Sequence, residues 1–179
     1  MTADTVIRFW FEEIDRKLWY RKDPAFDRLL ETRFSDLHRQ ASAGELYPWR
    51  DTAEGALAEI IILDQFSRNL FRDSPRAFAQ DGQALVLAQY AVQRGLDRSM
   101  AAERRAFLYM PYMHSESRLI HEQAVRLFSQ PGLENSLDFE MRHKAIIDRF
   151  GRYPHRNAIL DRQSTAEELE FLTRPGSSF

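Results

Sequence analysis

Between Ala56 and Leu63 the chain reads Ala-Leu-Ala-Glu-Ile-Ile-Ile-Leu, a run that is apolar on nearly every side of a helix. A helix without a broad polar face has nowhere to sit but inside, so this segment marks the centre around which the rest must pack. The remainder keeps helical spacing too. Phe26, Leu30, Phe34 and Leu37 fall on one stripe, valine and threonine are sparse, and the apolar residues recur at helical rather than alternating intervals. The fold class these patterns predict is all-α, built of antiparallel helical hairpins.

The punctuation between helices is equally legible. A first helix is expected from about Thr5 to Ile14, and a second from Pro24, with Asp23 as N-cap, to about Ala43 before Gly44. Asp51 or Thr52 starts the third, and Ser74-Pro75 opens a short helical turn. Asp81 caps a fourth helix that ends before Gly95, and a fifth, capped by Ser99 or a neighbour, runs through Met110 until Pro111 stops it. A sixth runs from about Ser115 to Ser129, Pro131-Gly132 breaks the chain, and a seventh runs from about Ser136 to Phe150. Thr165 to Glu168 is a capping box for a short last helix. With 179 residues, 44% of them hydrophobic, and no Gly/Ser-rich linker, low-complexity tract or internal repeat, residues 1–179 are expected to form one domain.

Charge and cysteine usage narrow the partners. A net charge of -2 supplies no field for nucleic acid, and no aromatic platform interleaves the arginines. The absence of cysteine removes disulfides, thiol nucleophiles and thiolate metal sites, and suits a reducing compartment. The patch Phe9-Trp10-Phe11 is interrupted by Asp4, Glu12 and Glu13 and has no basic leader, and no run is long enough to span a membrane. The expectation is a cytoplasmic protein with neither nucleic acid nor membrane as partner.

One loop carries most of the polar chemistry. Arg149-Phe150-Gly151-Arg152-Tyr153-Pro154-His155-Arg156-Asn157 sets three guanidiniums and an imidazole on a Gly/Pro-punctuated stretch without an acidic residue. Arginine offers a rigid fork matched to carboxylate or phosphate, so the loop calls for an anion, either a ligand or the protein's own Asp and Glu. Three apolar segments each run into a polar cluster: Ala58–Leu63 into Asp64-Gln65-Phe66-Ser67-Arg68-Asn69, Phe107–Met113 into His114-Ser115-Glu116, and Ala145-Ile146-Ile147 into the arginine loop. Short connections make successive helices antiparallel, which brings those clusters to one end of the molecule. The ligand-binding candidates are Asp64, Arg68, Asn69, Asp81, Arg152, Arg156 and Asn157; the acid/base candidates are His114, Glu116 and His155.

Each candidate also has a purely structural role open to it. Asp64 and Arg68, spaced i,i+4, can pair on one helix face, and Asn69 suits a left-handed C-cap. Adjacent His114, Ser115 and Glu116 point in different directions and cannot form a triad among themselves. His114, Glu116, His121 and His155 with Asp64 or Asp81 lack the spacing of a metal site, so no metal and no cofactor is expected. The arginine loop resembles neither a phosphate-cradling Gly-rich loop nor a kinase catalytic loop. Phe9-Trp10-Phe11 and Trp19-Tyr20 are read as packing residues.

The motifs Asp64 to Asn69, Arg76-Ala77-Phe78 with Asp81, Pro111 to Glu116, and Phe150 to Asn157 with Arg162 resemble the successive signatures of the bacterial family called domain of unknown function 924. The resemblance runs from Phe9-Trp10-Phe11 to the capping box. It implies an all-α fold similar to tetratricopeptide-repeat proteins, with hairpins stacked in a right-handed superhelix, and it implies no established activity. No tetratricopeptide consensus is legible in the residues themselves. Two functional classes remain. In the favoured one the chain is a helical scaffold for a peptide or protein partner, and its Arg, Asp, His and Glu motifs are structural locks. In the alternative it is a binding protein or enzyme for a small anionic metabolite, clamped by Arg152 and Arg156, with His114 or His155 as acid/base and Glu116 or Asp64 orienting it.

Overall fold

The computed structural model describes residues 1–179, is helical throughout and contains no strand. Its α-helices are α1 (Ala3–Arg8), α2 (Pro24–Ser42), α3 (Ala53–Ile61), α4 (Ser67–Leu70), α5 (Asp81–Gln93), α6 (Ala102–Met113), α7 (Arg118–Phe128), α8 (Glu134–Phe150) and α9 (Ala166–Leu172). No helix is long and apolar enough to cross a membrane.

The apolar run sits at the centre. Every residue from Gly55 to Ile61 of α3 is buried, and α1, α5 and α6 all pack against it. Thr52 starts α3 by accepting from the Gly55 N–H, and the glycine is required there: a Cβ would collide with the Trp49 carbonyl oxygen of the preceding 3-10 turn, Tyr47–Asp51. Glu59, fully buried in the same helix, takes both oxygens to Arg50 of that turn, at 2.7 and 2.6 Å. The Asp23 carboxylate caps α2 by accepting from the Ala25 and Phe26 N–H groups, so the Phe26, Leu30, Phe34 and Leu37 stripe enters the core. Phe9, Trp10 and Phe11 join it: Phe9 packs tilted against Phe34 at 4.7 Å, and Phe107 edges onto Trp10 and Phe11 at 5.6 and 5.5 Å. From α5 to α8 each helix packs on the next in sequence, a run of helical hairpins.

Several boundaries differ from those expected. Pro111 does not stop α6, which runs on to Met113; the residues from Ala106 to Met113 are all buried, and a proline in the last turn forfeits only one backbone bond. The extension makes His114 the C-cap. Asp81 is the first residue of α5 and not its cap, a place held by Gln80, because the Asp81 carboxylate is bound to a guanidinium instead. Ala101 and Ser117 precede α6 and α7 without a side-chain capping bond, and α8 begins at Glu134. Helix α3 continues through a π-helical turn, Ile62–Phe66, into α4, so Asn69 is helical and not a left-handed cap; Asp73, at φ 59, takes the left-handed position. Gly151, at φ 71, ends α8 and turns the chain into the arginine loop. The Thr165–Glu168 capping box that starts α9 is present in both of its bonds.

Candidate functional site

The π-helical turn places Asp64 where its side chain can leave the α3–α4 axis and reach the end of α6. Its carboxylate is buried, and His114 meets it with Nδ1 2.7 Å from Oδ1. Gln65 donates to the other oxygen at 2.6 Å, and Arg68 lies 3.3 Å away. Burial pushes the Asp64 carboxyl up, but the Arg68 charge and the hydrogen bonds from His114 and Gln65 more than reverse it, holding it below the ordinary carboxylate range. An ionised carboxylate only accepts, so the proton between the two rests on His114 Nδ1 and the lone pair of the neutral ring is at Nε2. Burial, then the Arg68 charge, pushes His114 down from 6.5, which keeps the ring neutral at pH 7.

Arg68 closes a second contact. It grips Asp81 at the start of α5 with two bonds, at 2.9 and 3.1 Å, while one of the same nitrogens also donates to the Asp64 carbonyl. Arg156 arrives from the arginine loop. Its guanidinium lies between the rings of Phe78 and Tyr153, 4.6 Å from each centroid, and its side chain is 8% exposed. Of its five donors, one meets the His114 carbonyl at 3.1 Å and one makes a long 3.4 Å contact with Asp81; Nε is buried without a partner. Burial, reinforced by the Arg68 charge, pushes Arg156 down, whereas Arg50, Arg68, Arg72 and Arg152 all go up beside their carboxylates. Arg156 is therefore short of negative charge.

Of these groups Asp81, His114 and Arg156 line a cavity of about 330 Å³, with Asp64 and Arg68 bound to them outside its wall. Asp81, His114, Ser115, Glu116 and Arg156 supply its polar wall, and Phe78, Leu85 and Leu160 much of its apolar wall. A second cavity of about 200 Å³ has Glu54 and Arg104 as its charged lining, and they are bound to each other.

The rest of the expected cluster is spent on the fold. Arg152 forks onto Glu168 with two 2.7 Å bonds and donates to the Gln163 carbonyl, which fastens α9 to the loop. Glu116 accepts from the Tyr153 N–H at 2.7 Å and from Arg162 at 2.6 and 2.8 Å, so it orients the loop and not an imidazole. Asn157 is bound to Ser164, Glu168 and Arg162. Asn69 joins Arg72 on Asp27 of α2, outside the cavity. His155 packs among Tyr153 and Phe179, burial pushing it down to about 4, and does not line the cavity. His121, fully buried, bridges Glu140 of α8 and the Ser115 carbonyl, at 2.7 and 2.8 Å. So Asp81, His114, Glu116 and Arg156 line the cavity, Asp64 and Arg68 are bound to that wall from behind, and Asn69, Arg152, His155 and Asn157 lie away from it. Phe78, Leu85 and Leu160 were not among the expected site residues, since an apolar cavity wall looks like any core residue in sequence.

Residues 6–176 match the family model described as "Bacterial protein of unknown function (DUF924)". A solved structure of a protein of unknown function from Agrobacterium tumefaciens is 38% identical, with a TM-score of 0.90, over 95% of this chain and 96% of that one. The comparison with curated proteins gives no match.

Proposed function

The chain belongs to this bacterial family of unknown function, and from the site itself we propose that it binds a small anionic metabolite, a carboxylate or phosphate, in the cavity between α5, the end of α6 and the arginine loop. Arg156 carries the reading. A guanidinium buried against two aromatic rings, using two of its five donors and lacking a close carboxylate, is stabilised by an added anion. The cavity falls within the size range of small-molecule sites and has the same mix of an apolar wall with a few convergent polar groups. The lack of cysteine supports a reducing compartment, the cytoplasm.

Thermal unfolding with phosphate, succinate and benzoate tests it. A ligand at about 100 times its Kd adds ~2.7 kcal/mol to the native state, which is a rise of about 5–10 °C for a chain of this size. Arg156→Met should lose that response, and because Asp81 keeps its closer bonds to Arg68 the variant should still fold, which circular dichroism checks. Three anions without effect on the wild type would sink the reading.

The scaffold reading keeps one specific support. Arg152 with Glu168, Arg162 with Glu116 and Arg68 with Asp81 are guanidinium–carboxylate locks already satisfied within the chain, as a framework for a peptide or protein partner requires.

A further inference from the structure

An anion bound beside Arg156, the reading on which this inference rests, also changes the charge around His114. Three carboxylates, Asp64, Asp81 and Glu116, face three guanidiniums, Arg68, Arg156 and Arg162, and the imidazole among them carries no charge. The cluster is neutral as it stands. An anion entering the cavity leaves one uncompensated negative charge in a partly buried site, where charge imbalance is costly. His114 is the group built to correct it. Its Nδ1–H is already anchored on the Asp64 carboxylate, and its Nε2 has no partner in the protein and is not sealed from solvent. His114 lines the same cavity as Arg156, whose Nη2 donates to the His114 carbonyl at 3.1 Å.

We propose that the site takes up its anion together with one proton, held on His114 Nε2, so that its ligand class is weak carboxylic acids, each bound as carboxylate against the Arg156 guanidinium and the newly formed imidazolium. Atoms and charge balance: the acid's O–H bond breaks, or a solvent proton is taken up where the acid is already ionised, and one N–H bond forms at Nε2. Asp64 is a positioning residue that fixes the tautomer and stabilises the imidazolium from behind. The groups that bear on His114 are Asp64 and Arg68 from the α3–α4 helix, Asp81 from α5, Glu116 from the turn after α6, and Arg156 from the loop. His143 of α8 is itself pushed down to about 3 by burial and stays neutral. In the empty site burial and Arg68 hold His114 below 6.5, and a bound anion opposes both.

Linkage sets the sign. Between the lower value of the empty site and the higher value of the occupied one, the Kd of the anion should rise about tenfold per pH unit, with one proton taken up per anion bound. Benzoate is a suitable probe because its own carboxyl is ionised above about pH 6. Calorimetric titration of the full chain with benzoate at several pH values, in two buffers of different ionisation enthalpy, should show that slope and that proton. His114→Gln, which can still donate to Asp64 but cannot take up a proton, should bind benzoate without the slope. If that variant does not fold, the histidine ring resonances of the wild type serve instead, and benzoate should raise the His114 titration midpoint. Benzoate binding with a pH-independent Kd, a slope retained in His114→Gln, or an unmoved midpoint overturns proton uptake and leaves anion binding at Arg156 standing. Failure of benzoate to bind overturns the proposal too, and whether anion binding falls with it is read from the phosphate and succinate responses and their loss in Arg156→Met.

Discussion

At the scale of single residues, the arginines differ by what each has been given to neutralise it. Arg68 joins Asp64, 1% exposed at its side chain, to Asp81, and its own side chain is 21% exposed. Removing it takes the nearest guanidinium from two carboxylates, one fully buried, and breaking a buried pair from one side costs on the order of 3–5 kcal/mol. Arg68→Ala should therefore lower the denaturant midpoint sharply; an unchanged midpoint would show that water reaches Asp64 freely. Arg156→Met should cost less, since Asp81 keeps its closer bonds to Arg68, and should abolish the anion response. The contrast lies in the partners and not in the residue type: both are half of an expected Arg/Asp cluster, and Asp81, the one carboxylate within reach of both, is held more closely by Arg68, at 2.9 Å against 3.4 Å.

At the scale of elements, α9 shows how a short helix is held. Its seven residues are too few to be stable alone, and Glu168 ties it down twice, through the capping box with Thr165 and through the fork from Arg152. The bond from Arg152, supported by the Thr165 N–H, holds the Glu168 carboxyl down from 4.5 to about 2. Because the folded value is depressed, this contribution is fully present above about pH 4.5 and is lost as the pH falls through 2. The protection factors of the amides in residues 166–172, that is, their exchange rates relative to the unstructured rate at the same pH, should fall over that window, and Arg152→Lys, which cannot make the fork, should move the fall to higher pH. Protection factors in α9 that stay constant from pH 5 to pH 2 would show that the fork does not hold it. The π-helical turn at Ile62–Phe66 acts on another element, α6, since it is Asp64 in this turn that receives His114 from the end of that helix.

At the scale of the whole molecule, the packing is centred on α3. A cluster of 33 buried residues extends from Val6 in α1 to Leu133 just before α8, and α3 touches α1, α5 and α6 at once. The loop end has its own small cluster of Ile146, Ile147 and Tyr153, held by ion pairs and by the Tyr153 hydroxyl, which donates to the Met113 carbonyl at 2.5 Å. Elements buried on all sides open only when the whole fold opens, whereas segments held by a few polar contacts open locally. Native-state hydrogen exchange should accordingly place the amides of residues 57–63 at the global unfolding free energy and those of residues 157–165 well below it. Equal protection in both segments would contradict a core centred on α3.

The helical class, the buried centre at Ala56–Leu63, the Asp23 and Thr165 caps and the stop at Gly151 were all legible in the chain, because each depends on residues within a few positions of one another. The extent of α6 through Pro111 was not legible, since burial of the whole final turn overrides the local cost of a proline. Nor was the division of labour among the arginines. Local spacing identifies a guanidinium and the carboxylates in its own helix turn, but Arg152 found Glu168 sixteen residues on, Arg162 found Glu116 forty-six residues back, and Arg156 found only a distant Asp81. Which pairs close is set by how α5, α6, α8 and the loop meet in three dimensions, and the one guanidinium left short of an anion is a property of that packing alone.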